Sequence, residues 1–113
     1  MWEQRTANLG CVVYSESMDG IVAEWIYNRE GKIERGSGKG IRLSQLNRNR
    51  RFEGEFEIIY IDELGNKSPE ISLTILFTSG HYSLTWKIDN AITDVGIGIE
   101  THDKLLVSYK KAT

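Results

Sequence analysis

Ile71-Ser72-Leu73-Thr74-Ile75-Leu76-Phe77, then Thr78-Ser79-Gly80, then Tyr82-Ser83-Leu84-Thr85-Trp86-Lys87-Ile88: two runs alternate apolar with polar side chains, and a turn signal stands between them. Successive side chains of a strand point to opposite faces, so this period of two describes a half-buried β-hairpin and not a helix. The same unit repeats outward in both directions. Towards the carboxy end, Asp89-Asn90 leads into runs at 92–100 and 104–110, joined by Thr101-His102-Asp103. Towards the amino end lie runs at 9–17, 21–27, 32–43 and 52–61. They are punctuated by Met18-Asp19-Gly20, Asn28-Arg29-Glu30-Gly31 and Asp62-Glu63-Leu64-Gly65-Asn66-Lys67. Asp-Gly is a strong hairpin signal, and Gly31 supplies the positive φ that a tight turn needs.

Eight strands in simple succession with short links favour sequential neighbours pairing up-and-down, and closing the sheet removes its exposed edges. The expected fold is therefore all-β, a single domain over 1–113 built as an eight-stranded antiparallel up-and-down β-barrel. The run 32–43 is polar and carries Gly36, Gly38 and Gly40, which predicts a bulged or edge-like strand. Residues 44–51 lack the period and predict a helical turn or open loop. Pro69, the lone proline, falls at a strand entrance where it removes no ladder bond.

Fourteen basic against sixteen acidic side chains create no global field for nucleic acid or an anionic membrane, so neither is expected as a partner. No apolar run approaches the roughly 20 residues that cross a bilayer as a helix. Nothing at the amino end reads as a secretory leader, and the single cysteine, Cys11, forms no intrachain disulfide. A cytoplasmic location is the expectation.

Strand parity sorts the side chains. One face collects Ala23, Trp25, Tyr27, Phe52, Phe56, Ile58, Tyr60, Ile71, Leu73, Ile75, Phe77, Tyr82, Leu84, Trp86, Ile88, Val95, Ile97, Ile99, Leu105, Val107 and Tyr109. The other carries Glu24, Glu53, Glu55, Glu57, Ser72, Thr74, Ser83, Thr85, Lys87, Glu100, Lys104 and Ser108. The first set belongs inside, because a one-residue slip would bury the second. An eight-stranded barrel holds either its own side chains or one small ligand. Aromatics filling the interior is one reading. The other is an apolar pocket with room left by Gly54, lined by Trp25, Tyr27, Phe56, Tyr60, Tyr82 and Trp86, whose hydroxyl and indole groups serve as polar handles. Val22, Ile26, Ile59, Ile61, Leu76 and Leu106 stand on the outer side with Gly96 and Gly98, where a cluster would mark a protein interface. A homodimer is expected there.

The polar residues carry no recognisable catalytic or metal pattern. Glu53, Glu55 and Glu57 share one solvated face and lack the sheltered cleft that raises a catalytic carboxyl pKa. His81 and His102 sit at turns without a partner ligand, and Cys11 reads as a small buried hydrophobe near the barrel mouth. Gly36-Ser37-Gly38-Lys39-Gly40 lacks the first glycine and the closing Ser or Thr of a phosphate loop. Arg48, Arg50 and Arg51, interleaved with Asn47 and Asn49, concentrate positive charge that could grip an acidic partner or be neutralised by the glutamates that follow. Asn66-Lys67-Ser68 is discounted as a glycosylation acceptor because Pro69 follows it.

The strand sequences Phe52-Glu53-Gly54-Glu55-Phe56, Tyr82-Ser83-Leu84-Thr85-Trp86, Val95-Gly96-Ile97-Gly98-Ile99 and Leu105-Leu106-Val107-Ser108-Tyr109 resemble those of small bacterial calycin-type barrels, the lipocalin-like and avidin-like group. The resemblance implies a barrel that binds a small ligand inside or another protein outside. The amino-terminal Gly-x-Trp of lipocalins is absent and the biotin-binding constellation of avidins does not map, so it implies fold and no site residues. The expected function is non-enzymatic binding of a small apolar molecule, without cofactor or metal. The alternative is a regulatory or inhibitory module that docks through its outer wall or the Arg48–Arg51 loop.

Overall fold

The computed structural model describes residues 8–45 and 50–113. Eight strands, β1 (Leu9–Ser17), β2 (Gly20–Arg29), β3 (Lys32–Ser44), β4 (Gly54–Asp62), β5 (Ile71–Thr78), β6 (His81–Ile88), β7 (Ala91–Thr101) and β8 (Lys104–Lys111), pair in sequence order. The barrel closes through β1 against β8, from Gly10 opposite Tyr109 to Ser15 opposite Lys104. Every ladder is antiparallel, as the succession of hairpins requires.

Local turn chemistry sets this order. Glu30-Gly31, Ser79-Gly80, Asp89-Asn90 and His102-Asp103 each place two consecutive residues at positive φ. Such turns match the right-handed twist of the strands they join, and Gly, Asn and Asp adopt them at least cost. At the longer turn after β4, the Asp62 carboxylate accepts the backbone N–H groups of Leu64 at 2.9 Å and Asn66 at 2.8 Å, and Nδ2 of Asn66 at 3.0 Å.

The barrel has two unlike ends. The lower end carries the turns at 18–19, 79–80 and 102–103, and its interior is packed by Tyr14, Ile21, Phe52, Phe56, Ile58, Leu73, Ile75, Tyr82, Leu84 and Leu105, each at most 1% exposed. The upper end carries the turns at 30–31 and 89–90. There β4 and β5 part company, for their ladder stops at Ile58 opposite Ile71. Beyond it the connecting segment folds back on β4, with Ser68 N–H donating to the Tyr60 carbonyl at 2.8 Å and Ser68 Oγ accepting the Tyr60 N–H at 2.9 Å.

Four expectations are corrected. The run at 32–43 has the expected irregularity, a register shift between Arg42 and Ser44, but it is no edge: β3 pairs along its length with β2 and β4. Gly36 and Gly38 face inward beneath large rings, since a Cβ at Gly36 would lie 2.8 Å from the Trp25 ring and one at Gly38 2.8 Å from that of Tyr60. The fourth strand begins at Gly54, so Phe52 and Glu53 belong to the turn before it. Glu53 is buried there, its carboxylate accepting the Phe77 N–H at 2.6 Å. Gly54 leaves no room, because a Cβ there would meet the Ser44 carbonyl oxygen at 2.4 Å and the Arg42 guanidinium at 2.6 Å.

The third correction inverts β7. Asp94, Gly96, Gly98 and Glu100 share the inner face with Trp86, Leu84, Tyr82 and Leu105, while Ile97 and Ile99 stand outside at 62% and 59% exposure and Val95 beside them is half-buried. Gly96 faces in because a Cβ there would sit 3.0 Å from the Trp86 ring; the interior has no space for isoleucines beside so many aromatics. Fourth, Cys11 is exposed on the outer wall, because Gly10, Val12 and Tyr14 hold the inner positions of β1.

Candidate ligand site

At the upper end, where the wall opens between β4 and β5, a cavity of about 160 Å³ remains. Val12 and Tyr14 from β1, Trp25 from β2, Tyr60 from β4, Ile71 from β5, Trp86 from β6, Asp94 from β7 and Tyr109 from β8 line it. Glycines seat the rings: Gly36 lies under Trp25, Gly38 under Tyr60, Gly96 under Trp86, and Gly10 under Tyr109, whose Cζ would be 2.3 Å from a Cβ. Alternating small and large residues on neighbouring strands is how a narrow barrel accommodates such side chains.

Polar atoms fix the walls. Trp86 Nε1 donates to Tyr60 Oη at 2.8 Å, and the Tyr14 and Tyr60 hydroxyls share a hydrogen bond of 2.6 Å. Those three groups own three hydrogens and spend two, so one O–H hydrogen and two hydroxyl lone pairs are left over whichever tyrosine donates. Trp25 Nε1 donates to the Ser37 carbonyl at 2.9 Å. Tyr109 packs against Trp86 with ring centroids 5.6 Å apart, and against Tyr27 at 5.8 Å. Burial pushes the Tyr60 hydroxyl up to about 12, and Tyr14 and Tyr109 are raised for the same chief reason. All remain neutral donors across the physiological range.

The six residues expected to line a pocket divide. Trp25, Tyr60 and Trp86 line the cavity. Tyr27 is buried behind Tyr109, with the Arg29 guanidinium 5.2 Å from its ring centroid. Phe56 lies in the packed core under the Arg42 guanidinium, 4.6 Å away, and Tyr82 packs edge-on to Phe52 and Phe77 at the lower end. Sequence reasoning passed over Asp94, whose inward direction follows from the inverted β7, and Tyr14, although Tyr14 continues the Gly10, Val12 parity of β1. Ile71 and Tyr109 were placed inside without being assigned to the site.

The lower end is closed by the chain itself. Arg42 donates to the Glu53 carbonyl at 2.7 Å and the Arg51 carbonyl at 2.6 Å, pinning the turn that drives Phe52 into the barrel. Arg51 makes ion pairs with Glu100 at 3.1 Å, Asp103 at 2.9 Å and Glu16 at 3.4 Å, and the Tyr82 hydroxyl donates to Glu100 at 2.7 Å. Glu100 is exposed as expected, but it stands at the lower rim on the inward side of β7, opposite Leu105. Arg50 stacks over Phe77 at 3.8 Å. Arg50 and Arg51 thus engage barrel residues from the lower rim, while Arg48, Asn47 and Asn49 lie outside the described residues.

On the outer wall, ladder partners place Leu76, Ser83, Ile97, Ser108, Cys11 and Ile26 in one row and Ile99, Leu106 and Val13 in the next. Ile59 and Ile61 on β4 stand apart from it. Gly96 and Gly98, expected on this side, face the interior instead. Glu57 on the outer face has its carboxyl raised chiefly by a hydrogen bond that its protonated form donates to neighbouring Glu70. Among the described residues no group of three or more His, Cys, Asp or Glu side chains is placed to hold a metal. Compared with protein-family models, curated proteins and solved structures, the chain matches none.

Proposed function

We propose that this protein is a non-enzymatic small-molecule-binding barrel, allied to the small bacterial calycin-type proteins that its strands resemble, with the ligand seated in the upper cavity. The observation that carries the reading is a void of about 160 Å³ ringed by Trp25, Tyr60, Trp86 and Tyr109 in an interior otherwise packed tight. An empty volume of that size costs stability that a larger aliphatic side chain would recover. Apolar cavities of about 150 Å³ accept one six-membered ring, so the ligand is a single-ring body whose remainder projects through the gap between β4 and β5.

Thermal unfolding against a panel of single-ring compounds tests this, because a ligand that binds only the folded barrel raises the midpoint by mass action. Ile71→Phe, which narrows the cavity from its rim, is expected to abolish the binder's shift while leaving the unliganded midpoint equal or higher. No shift from any compound, together with a stabilised Ile71→Phe, reduces the void to a packing defect.

A second reading concerns the outer wall and commits to a second copy of this chain. β7 turns Ile97 and Ile99 outward beside Leu106, Val13 and Cys11, and these positions carry no charge, so two such faces meet without like-charge repulsion in an isologous dimer. Sedimentation is expected to give twice the 12.9 kDa chain mass for the native protein and the monomer for Ile97→Lys. A native monomer at every concentration removes the reading.

A further inference from the structure

We propose that the ligand is a small organic cation, an ammonium group on a ring-sized apolar body, held between the aromatic walls and the inward carboxylate of Asp94. This rests on the upper cavity being the ligand site. Asp94 contributes to the cavity lining from β7, where the ladder sets it opposite Trp86 on one side and Lys111 on the other. Among the described residues no N–H, O–H or cation bonds its carboxylate, and Lys111 stays exposed without an ion pair.

A carboxylate at the wall of an aromatic cavity, with no donor or cation of the fold bonded to it, is free to pair with a cation bound there. A ligand cation supplies the missing partner. Trp and Tyr rings attract ammonium groups through their quadrupole, most strongly where water is excluded, and Trp25, Trp86 and Tyr109 line the same cavity as Asp94. The charge of Asp94 reaches into the cavity, since it adds to the upward shift of both Tyr60 and Tyr109. An anionic ligand would meet that same negative field. A neutral one would leave the carboxylate uncompensated.

The discriminating experiment titrates the full chain, by quenching of tryptophan fluorescence, with three ring-sized probes: phenyltrimethylammonium, its neutral isostere tert-butylbenzene, and benzoate. The cation is expected to bind at least about tenfold more tightly than the isostere, a difference of about 1.4 kcal/mol, with benzoate weakest. In Asp94→Asn the cation is expected to lose most of its advantage over the isostere, whose own affinity is unchanged; an advantage left intact overturns the role of the carboxylate. Equal affinity of cation and isostere, a preference for benzoate, or an Asp94→Asn variant that loses the isostere as well overturns the cation assignment while leaving the cavity a ligand site. Silence of all three probes removes both.

Discussion

Tyr60 shows how one hydroxyl joins the walls of the cavity: it accepts from Trp86 and shares a hydrogen with Tyr14, tying β1, β4 and β6 together across the barrel. Its depth gives a prediction with a definite sign. An unfolded tyrosine titrates near 10, whereas burial raises Tyr60 to about 12 and raises Tyr14 as well. Between those values the unfolded chain has lost protons that the barrel keeps, so stability is fully present below about pH 10 and falls as pH rises through about 12. Tyr60 alone accounts for about 2–3 kcal/mol of that loss. Urea midpoints across this range should therefore descend more steeply for the native chain than for Tyr60→Phe, although the variant starts lower at neutral pH because Trp86 and Tyr14 lose a partner. Parallel curves would show that the hydroxyl is not buried. Glu53 teaches the complementary lesson: alternation assigned it to solvent with Glu55 and Glu57, but it precedes β4, and its carboxylate caps Phe77 from within. Parity predicts only the residues that a strand contains.

At the level of elements, the eight strands, their order and most turns were legible because hairpin chemistry and period two are local signals. β1 and the two glycine-closed turns at 30–31 and 79–80 needed nothing more. β7 was not legible in the same way. Asp94, Gly96, Gly98 and Glu100 alternate with Val95, Ile97 and Ile99, and hydropathy alone turns the isoleucines inward. The register is decided by bulk on neighbouring strands, where the Trp86 ring reaches over Gly96 and Tyr109 stands opposite it in the ladder, and that information lies far away in sequence. Two substitutions separate the readings. Gly96→Val should destabilise by about 1–3 kcal/mol, because its Cβ would meet the Ser108 carbonyl at 2.8 Å and the Trp86 ring at 3.0 Å. Ile97→Thr, assayed at dilution as a monomer, should change stability by only about 0.5 kcal/mol. The opposite ranking would restore the isoleucines to the core. The same inversion hid Asp94, the one carboxylate that lines the cavity among the described residues.

For the whole molecule, the two ends divide the labour of holding the barrel shut and leaving it accessible. The lower end spends its polar groups internally, with Arg42 clamping two carbonyls of the turn that carries Phe52 while Arg51 gathers three carboxylates. Exposed ion pairs of the Arg51 kind are worth little individually, so the clamp falls chiefly to Arg42, partly buried and lowered in pKa by that burial. A lysine offers one point charge in place of a planar fork and cannot satisfy both carbonyls while covering Phe56. Arg42→Lys should therefore cost about 1–3 kcal/mol and hasten amide exchange at Phe77, where the released turn lets Glu53 withdraw. The upper cavity shares no partner with Arg42, and perturbations at separate sites are close to additive. Affinity for a ring-sized probe, measured where the variant is still folded, should thus remain that of the native chain. If it falls with the clamp, the two ends are coupled through the sheet, and closure of the lower end is part of how the upper cavity keeps its shape.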